Sequence, residues 1–280
     1  LVALDNRGAL LRPAILWSDG RNAPYVAPLR ERLGAMLRTA NPVNSAMTLP
    51  TLLWLRDHEA QTWRRLAHLL MPKDYVRYRL CGTIATDPSD ASGTLLYDTY
   101  GYRWSSEALQ ALNLPAHFLP PVYASGCVAG SLDSTMAQAM GLRAGTPVVT
   151  GAADVACEAL AAGASEPGQG LIRLGTAGVV CAAVSEKILP AAGTACYNHA
   201  RRGQWLIVTG TQACGSSLTW AQNLFIGPEA DLARLAALAE QAPPGSDGLL
   251  FLPHLAGERA PYWDATLTGK LVGIRLEHDR

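Results

Sequence analysis

Pro147-Val148-Val149-Thr150-Gly151-Ala152-Ala153-Asp154-Val155-Ala156-Cys157-Glu158-Ala159-Leu160-Ala161-Ala162-Gly163 changes character twice. Pro147–Val149 reads as a short strand of the buried type. Thr150–Ala153 is a loop of small residues. Asp154 then opens a helix that Gly163 closes. Asp is a good N-cap, because its carboxylate accepts a first-turn N–H, and Gly fits the left-handed position beyond a helix end. A carboxylate at the carboxyl end of a strand lies where α/β proteins hold their ligands. Such a group can take the proton of an attacking hydroxyl during phosphoryl transfer, a contribution of about 10²–10⁴-fold. From position alone, a plain helix cap is the simpler reading of Asp154.

Downstream, after Ala164-Ser165-Glu166-Pro167-Gly168, the pattern turns to strands: LIRLGTAGVVCAAV, then QWLIVTG. Leu174-Gly175-Thr176-Ala177-Gly178 reads as a tight glycine hairpin. Its backbone amides can face phosphate oxygens, since glycine puts no Cβ in the way. It is not a Walker A loop, because no Gly-Lys-Ser/Thr follows, and an ordinary β-turn explains it equally well. Gly210–Ser217 is a small-residue run at the start of a helix over Ser216–Leu224, which suits a phosphate or merely a close-packed helix entry. A further helix is predicted at Leu232–Gln241. Phe251–Pro261 joins an apolar run to a Glu258-Arg259 pair, for which a structural role is the simpler reading. His199 and His254 are isolated, and no metal-ligand spacing is visible.

Upstream, residues 1–16 read as a β-hairpin turning at Asp5–Gly8. Residues 22–38 have helical spacing (Leu29, Leu33, Met36, Leu37), as do 48–60, and 61–80 read as one or two more helices. Thr86–Gly93 is turn-rich and predicts a loop. Short helices are predicted at Ser105–Leu112 and Ser134–Met140. Trp17-Ser18-Asp19-Gly20-Arg21 after a strand end offers either a polar rim for a hydroxylated substrate or a turn held by an Asp–Arg pair over a buried Trp. Strands followed by helices, twice over, predict an α/β protein of two halves joined near residues 163–168.

The bulk numbers narrow the function class. The sequence has 280 residues, 49% of them hydrophobic and 16% charged, with a formal net charge of zero. That is a globular composition, and without a Lys/Arg run neither nucleic acid nor an anionic membrane is an expected partner. No apolar run approaches the roughly 20 residues that span a bilayer. The six cysteines form no C-x-x-C pair and read as buried free thiols of a cytoplasmic protein.

Singly these motifs are weak, but in order they resemble one family. LRPAILWSDGR, LLMPKDYVRYRLCG with DPSDASGT, PVVTGAAD, LIRLGTAG and FLPHLAGERAPYWD are similar to successive landmarks of the FGGY carbohydrate kinases, and most like the branch that phosphorylates xylulose. The resemblance covers essentially the whole chain. It implies two ribonuclease H-like (actin-like ATPase) domains with sugar and MgATP in the cleft between them, with residues 1–163 belonging to the N-terminal sugar-binding domain and 164–280 to the C-terminal nucleotide-binding domain. It implies Asp154 as catalytic base, Gly175, Thr176, Ala177 and Gly178 as a phosphate hairpin, and Gly215 near the nucleotide. Trp17, Asp19, Arg21 and Val155 fall at sugar-side positions. The expected cofactors are ATP and Mg²⁺, the expected partners a small sugar and ATP, and a homodimer is compatible.

Two departures from the family pattern stand out, the first of which bears on the substrate. Val155 stands where that branch usually carries an Asn that touches the sugar, and Thr51 where the family usually carries Lys. The resemblance also implies that a first phosphate loop precedes Leu1 and an adenosine loop follows Arg280, making the chain a fragment. The expected reaction is phosphorylation of a ketopentose such as D-xylulose. The alternatives are another FGGY kinase, acting on glycerol, gluconate, ribulose or a signalling sugar, or an inactive sugar- or nucleotide-binding fragment.

Overall fold

Helices and strands alternate along the chain in a computed structural model that describes all residues except 34–40, 187, 189–192, 265, 277 and 279–280. The elements are β1 (Val2–Leu4), α1 (Val26–Leu33), α2 (Thr48–His58), α3 (Ala60–Arg65), β2 (His68–Leu70), α4 (Pro72–Cys81) and α5 (Pro88–Ser92). Then come β3 (Tyr97–Asp98), β4 (Arg103–Trp104), α6 (Ser106–Ala111), β5 (Val128–Ser131), α7 (Ser134–Met140), β6 (Pro147–Val149) and α8 (Asp154–Ala161). The remainder are β7 (Gly170–Leu174), β8 (Gly178–Val184), β9 (Ala195–Asn198), β10 (Trp205–Thr211), α9 (Gly215–Phe225), α10 (Leu232–Ala239), β11 (Leu250–Leu252) and β12 (Lys270–Val272). The largest sheet has the order β7-β8-β10-β9, and β1-β2, β3-β4, β5-β6 and β11-β12 form two-stranded sheets.

The described residues fall into two compact units. One comprises Leu1–Gln169, Ala182–Pro190 and Ala195–Ile207; the other comprises Gly170–Cys181, Ala191–Thr194 and Val208–Arg280. The core of the first unit is built around α2. Leu49, Leu52, Leu53 and Leu55 are all buried and pack with Leu29, Leu33, Leu69, Leu95, Leu96 and Phe118. A helix apolar on nearly every side must be surrounded. Each such leucine contributes on the order of 1.5–3 kcal/mol over its exposed state.

Several expectations change on contact with the fold. The turn at Asp5–Gly8 is present: the Gly8 N–H donates to the Asp5 carbonyl at 2.9 Å, and Gly8 takes a positive φ of 76°. Its second arm, however, makes only a single bridge, Leu4 to Leu10, and β1 pairs antiparallel with β2 instead. The helix predicted over 22–38 is a 3-10 turn at Gly20–Tyr25 followed by α1; Met36 and Leu37 lie outside the described residues. Strand β2 interrupts the helical reading of 61–80. The predicted loop at 86–93 contains α5, because Asp87 caps it by accepting the amides of Ser89 and Asp90 and Pro88 stands first in the helix. Strand β6 is not of the buried type; Val149 is 49% exposed. Of the six free cysteines only Cys181 and Cys196 are buried, whereas Cys127 and Cys157 are exposed. Among the described residues no helix is long and apolar enough to cross a membrane.

Candidate functional site

In the first unit the chain leaves β6 into Thr150–Ala153 and enters α8 at Asp154. Asp154 is the first residue of the helix rather than its cap. The cap position falls to Ala153, whose methyl group cannot accept a hydrogen bond. The Asp154 carboxylate is exposed, and its Oδ1 accepts the Val155 N–H at 2.7 Å. Gly163 takes the left-handed conformation expected beyond the helix, with φ 78°.

The loop before Asp154 is tied down from beneath. The Thr150 N–H donates to the Cys127 carbonyl at 2.8 Å and the Gly151 N–H to the Ser125 carbonyl at 3.0 Å. The Thr150 carbonyl accepts from Arg77 Nη1 at 2.8 Å, and the Ala153 N–H donates to Ser89 Oγ at 2.8 Å. Gly151 has a φ of +83°, which a side chain would strain.

Below the loop lies an ion cluster. Lys73 Nζ is 2.7 Å from Asp74, 2.9 Å from Asp87 and 3.3 Å from Asp90, and Arg77 is 3.0 Å from Asp74. Asp74 and Asp87 are fully buried. A buried charge is tolerable only when paired and hydrogen-bonded, and this cluster meets that condition with two cations for three carboxylates. Burial opposes the charge on Lys73, but Asp90, Asp87 and Asp74 outweigh it and hold its pKa above the ordinary lysine value. Burial pushes the Asp90 carboxyl up to about 7, against the pull of Lys73 and with further push from Asp74 and Asp87.

A pH dependence of stability follows. The ordinary value for Asp90 is 3.8, so between pH ~4 and ~7 the folded state retains a proton that the unfolded state has lost. The stability from that proton is full below pH ~4 and is lost as the pH rises toward ~7. Asp90→Asn removes this dependence. Between pH 5 and 7 the wild type is expected to lose stability relative to Asp90→Asn, by up to about tenfold in the folding constant per pH unit. Urea or thermal unfolding at both pH values measures it, and a pH-independent difference contradicts it.

At the Trp17–Arg21 landmark, Asp19 caps the 3-10 turn by accepting the Arg21 amide. It also accepts from Arg21 Nε at 2.8 Å. The Arg21 guanidinium lies 4.7 Å from the ring centroid of Trp54, whose other ring neighbour is His58, stacked at 5.0 Å. The Asp–Arg pair therefore exists, but Trp17 is not buried beneath it; it is 66% exposed. Among the described residues no hydrogen bond or ion pair joins Asp19 or Arg21 to Asp154. Thr51 is buried and accepts from Asn22 Nδ2 at 2.6 Å.

In the second unit, the turn between β7 and β8 is fastened to the start of α9. The Gly215 N–H donates to the Gly175 carbonyl at 2.8 Å, and the Cys214 N–H to the Thr176 carbonyl at 2.9 Å. In a trans peptide the C=O and the following N–H point in opposite directions. With the carbonyls of Gly175 and Thr176 turned toward α9, the amides of Thr176 and Ala177 face away from it. Neither amide makes a hydrogen bond among the described residues, and Thr176 is exposed. Two adjacent amides turned the same way in a turn are the kind of backbone arrangement that can receive an anion. Gly215 itself spends its amide on the turn.

Glu258 and Arg259 support this assembly as the structural pair expected. Glu258 Oε1 accepts the Gln212 N–H at 2.9 Å, and Arg259 Nε donates to Gln212 Oε1 at 2.6 Å. Burial alone would raise the Glu258 carboxyl, but the amides of Gln212 and Arg259 and the neighbouring His254 bring it below its usual value. Among the described residues no group of three or more His, Cys, Asp or Glu could hold a metal ion.

The geometry thus brings Gly175–Gly178 and Gly215 together, and Asp19 with Arg21. Sequence reading missed the cluster of Lys73, Arg77 and Asp87 and the Ser89 contact to Ala153. The signal available was the pairing of MPKDYVRYRL with an acidic, Pro-led DPSDAS.

Similarity to known proteins agrees with this anatomy. A xylulose kinase of Bacillus subtilis (strain 168) is 37% identical over all of this chain, which spans 56% of that relative's length. Among solved structures, a xylulose kinase from Rhodospirillum rubrum superposes with a TM-score of 0.91 at 32% identity, covering 99% of this chain and 57% of that one. A gluconate kinase from Lactobacillus acidophilus gives 0.92 at 26%, with the same two coverages. The family models for the FGGY family of carbohydrate kinases match here too, the N-terminal domain over residues 1–161 and the C-terminal domain over residues 170–280. With both domain models matched in order along its α/β fold, the chain belongs to the FGGY family of carbohydrate kinases.

Proposed function

We propose that the complete protein transfers the γ-phosphoryl group of ATP to a hydroxyl of a sugar, with D-xylulose the first candidate. The observation that carries the reading is the placement of Asp154: an exposed carboxylate at the head of α8, on a loop held by four hydrogen bonds to neighbouring segments. As the sugar oxygen bonds to phosphorus and the bond to the ADP oxygen breaks, Asp154 accepts the hydroxyl proton. The amides of Thr176 and Ala177 hold phosphate oxygens, which need no side chain and no reorganisation. Gly175, Gly178 and Gly215 shape that turn. When bound, Mg²⁺ supplies neutralisation of phosphate charge. Residues 1–163 belong to the sugar-binding share of the protein and 164–280 to the nucleotide-binding share. The protein works in the cytoplasm.

Trp17, Asp19, Arg21 and Val155 are proposed on the sugar side. The names of the relatives favour xylulose, and the likeness to a gluconate kinase makes gluconate the second reading. Val155 is half-buried and offers no side-chain hydrogen bond; a missing one is worth about 0.5–1.5 kcal/mol. The test is kcat/KM of the complete protein on D-xylulose, D-ribulose, L-ribulose, glycerol and gluconate. D-xylulose is expected to lead, and Val155→Asn to improve it further relative to the others. A lead of about tenfold for gluconate or glycerol, roughly 1.4 kcal/mol, overturns the xylulose assignment and leaves the kinase assignment standing.

A further inference from the structure

We propose that Ser89 is a positioning residue for Asp154, linking the buried Asp87 to the backbone at the mouth of α8; the inference rests on Asp154 being the base. Asp87 is buried and saturated with donors. Its Oδ2 accepts the hydroxyls of Ser89 at 2.6 Å and Ser125 at 2.7 Å and the Ser89 N–H at 3.0 Å. Its Oδ1 takes Lys73 at 2.9 Å and the Asp90 N–H at 3.3 Å. The Ser89 hydroxyl hydrogen is therefore spent on Asp87. Toward Ala153 the same oxygen can act only as an acceptor, and it accepts the Ala153 N–H at 2.8 Å.

That N–H belongs to the cap residue of a helix with no side-chain cap. Ser89, sixty-four positions away, fixes the residue on which Asp154 hangs. Asp87 makes the arrangement one-directional, because the carboxylate accepts only and so decides which way both serine hydroxyls point. Ser125 is held by the same carboxylate, and its carbonyl receives the Gly151 N–H. The orientation of Asp154 is thus set by a charge it never touches.

A catalytic carboxylate displaced by an ångström loses about 10²-fold in rate, without a matching change in binding. Ser89→Ala removes the acceptor of a buried N–H and one of the donors to Asp87. Steady-state kinetics of the complete protein with MgATP and D-xylulose test the idea on Ser89→Ala, Ser89→Thr, Asp154→Asn and the double variant Ser89→Ala/Asp154→Asn. Ser89→Ala is expected to lower kcat by about 10–100-fold with both KM values within about twofold. Ser89→Thr keeps the hydroxyl and is expected to restore most of kcat. In the Asp154→Asn background, Ser89→Ala is expected to cost less than about threefold more, since residues acting through one group are not additive. A slow Asp154→Asn beside a Ser89→Ala of normal kcat overturns this inference alone. An equal further loss in both backgrounds overturns it too, leaving Ser89 a part of the general architecture. Near-normal turnover by Asp154→Asn overturns the base reading and this inference with it. Should Ser89→Ala not accumulate as folded protein, Ser89→Cys replaces a strong acceptor by a weak one. A fall in its kcat at constant KM supports the proposal, and an unchanged kcat overturns it.

Discussion

Asp154→Asn is expected to lower kcat of the complete protein by about 10²-fold or more, with the fold and both Michaelis constants nearly unchanged. The structure explains why so large an effect on rate can come with so little effect on stability. Asp154 is exposed, it belongs to no ion pair among the described residues, and its Oδ1 accepts one amide, that of Val155. An Asn side chain is isosteric and its Oδ1 can accept the same bond. What Asn cannot do is take a proton from a hydroxyl. Turnover is read by coupling ADP release to a reporter, and folding by thermal unfolding. A variant that keeps near-normal turnover removes Asp154 from the role of base.

Gly215→Val is expected to raise KM for ATP by about tenfold or more, with KM for the sugar within about twofold. A Cβ on Gly215 would stand 2.8 Å from the Gly175 carbonyl oxygen and 3.4 Å from its carbon. Those are backbone atoms of the turn itself and cannot rotate aside. The turn must move off α9, breaking the bond from the Gly215 N–H and swinging the Thr176 and Ala177 amides out of line. Gly178 is the internal comparison. Its Cβ would meet Thr211 Oγ1 at 3.0 Å and Cys214 Cβ at 3.4 Å, so it faces the protein and its nearest obstacle is a hydroxyl that can turn. The smaller effect is therefore expected from Gly178→Ala. An unchanged KM for ATP in Gly215→Val would show that the turn does not meet the nucleotide.

Local pattern made some of this architecture legible. LIRLGTAGVV announced two strands and a tight glycine turn because apolar runs broken by Gly admit few other readings, and β7 and β8 lie where expected. Helices α8 and α9 were visible from their small-residue entries. The losses have physical causes. Strands β2 and β9 have three and four residues, too short for periodicity to register. Helix α5 was hidden because Pro, Ser and Asp mark turns and helix starts alike. Asp154 read as a cap because Asp suits that position, but the Ala153 amide is held by Ser89, and the helix begins without a side-chain cap. The Lys73 cluster was least legible. Arg77 meets Thr150 from seventy-three positions away, and no local pattern records such a contact. The landmark over 17–21 reads either as a sugar rim or as a turn held by an Asp–Arg pair over a buried Trp; the pair is present, and Trp17 is exposed.

The central claim is sugar-dependent phosphoryl transfer that depends on Asp154. The most direct measurement follows ³¹P resonances of the complete protein mixed with ATP, Mg²⁺ and D-xylulose, beside the same mixture without sugar and a third containing Asp154→Asn. The account predicts a sugar phosphate resonance growing in step with ADP in the first tube, negligible ADP in the second, and both signals reduced by about 10²-fold or more in the third. Release of inorganic phosphate at the same rate with and without sugar, or an unimpaired third tube, would contradict it.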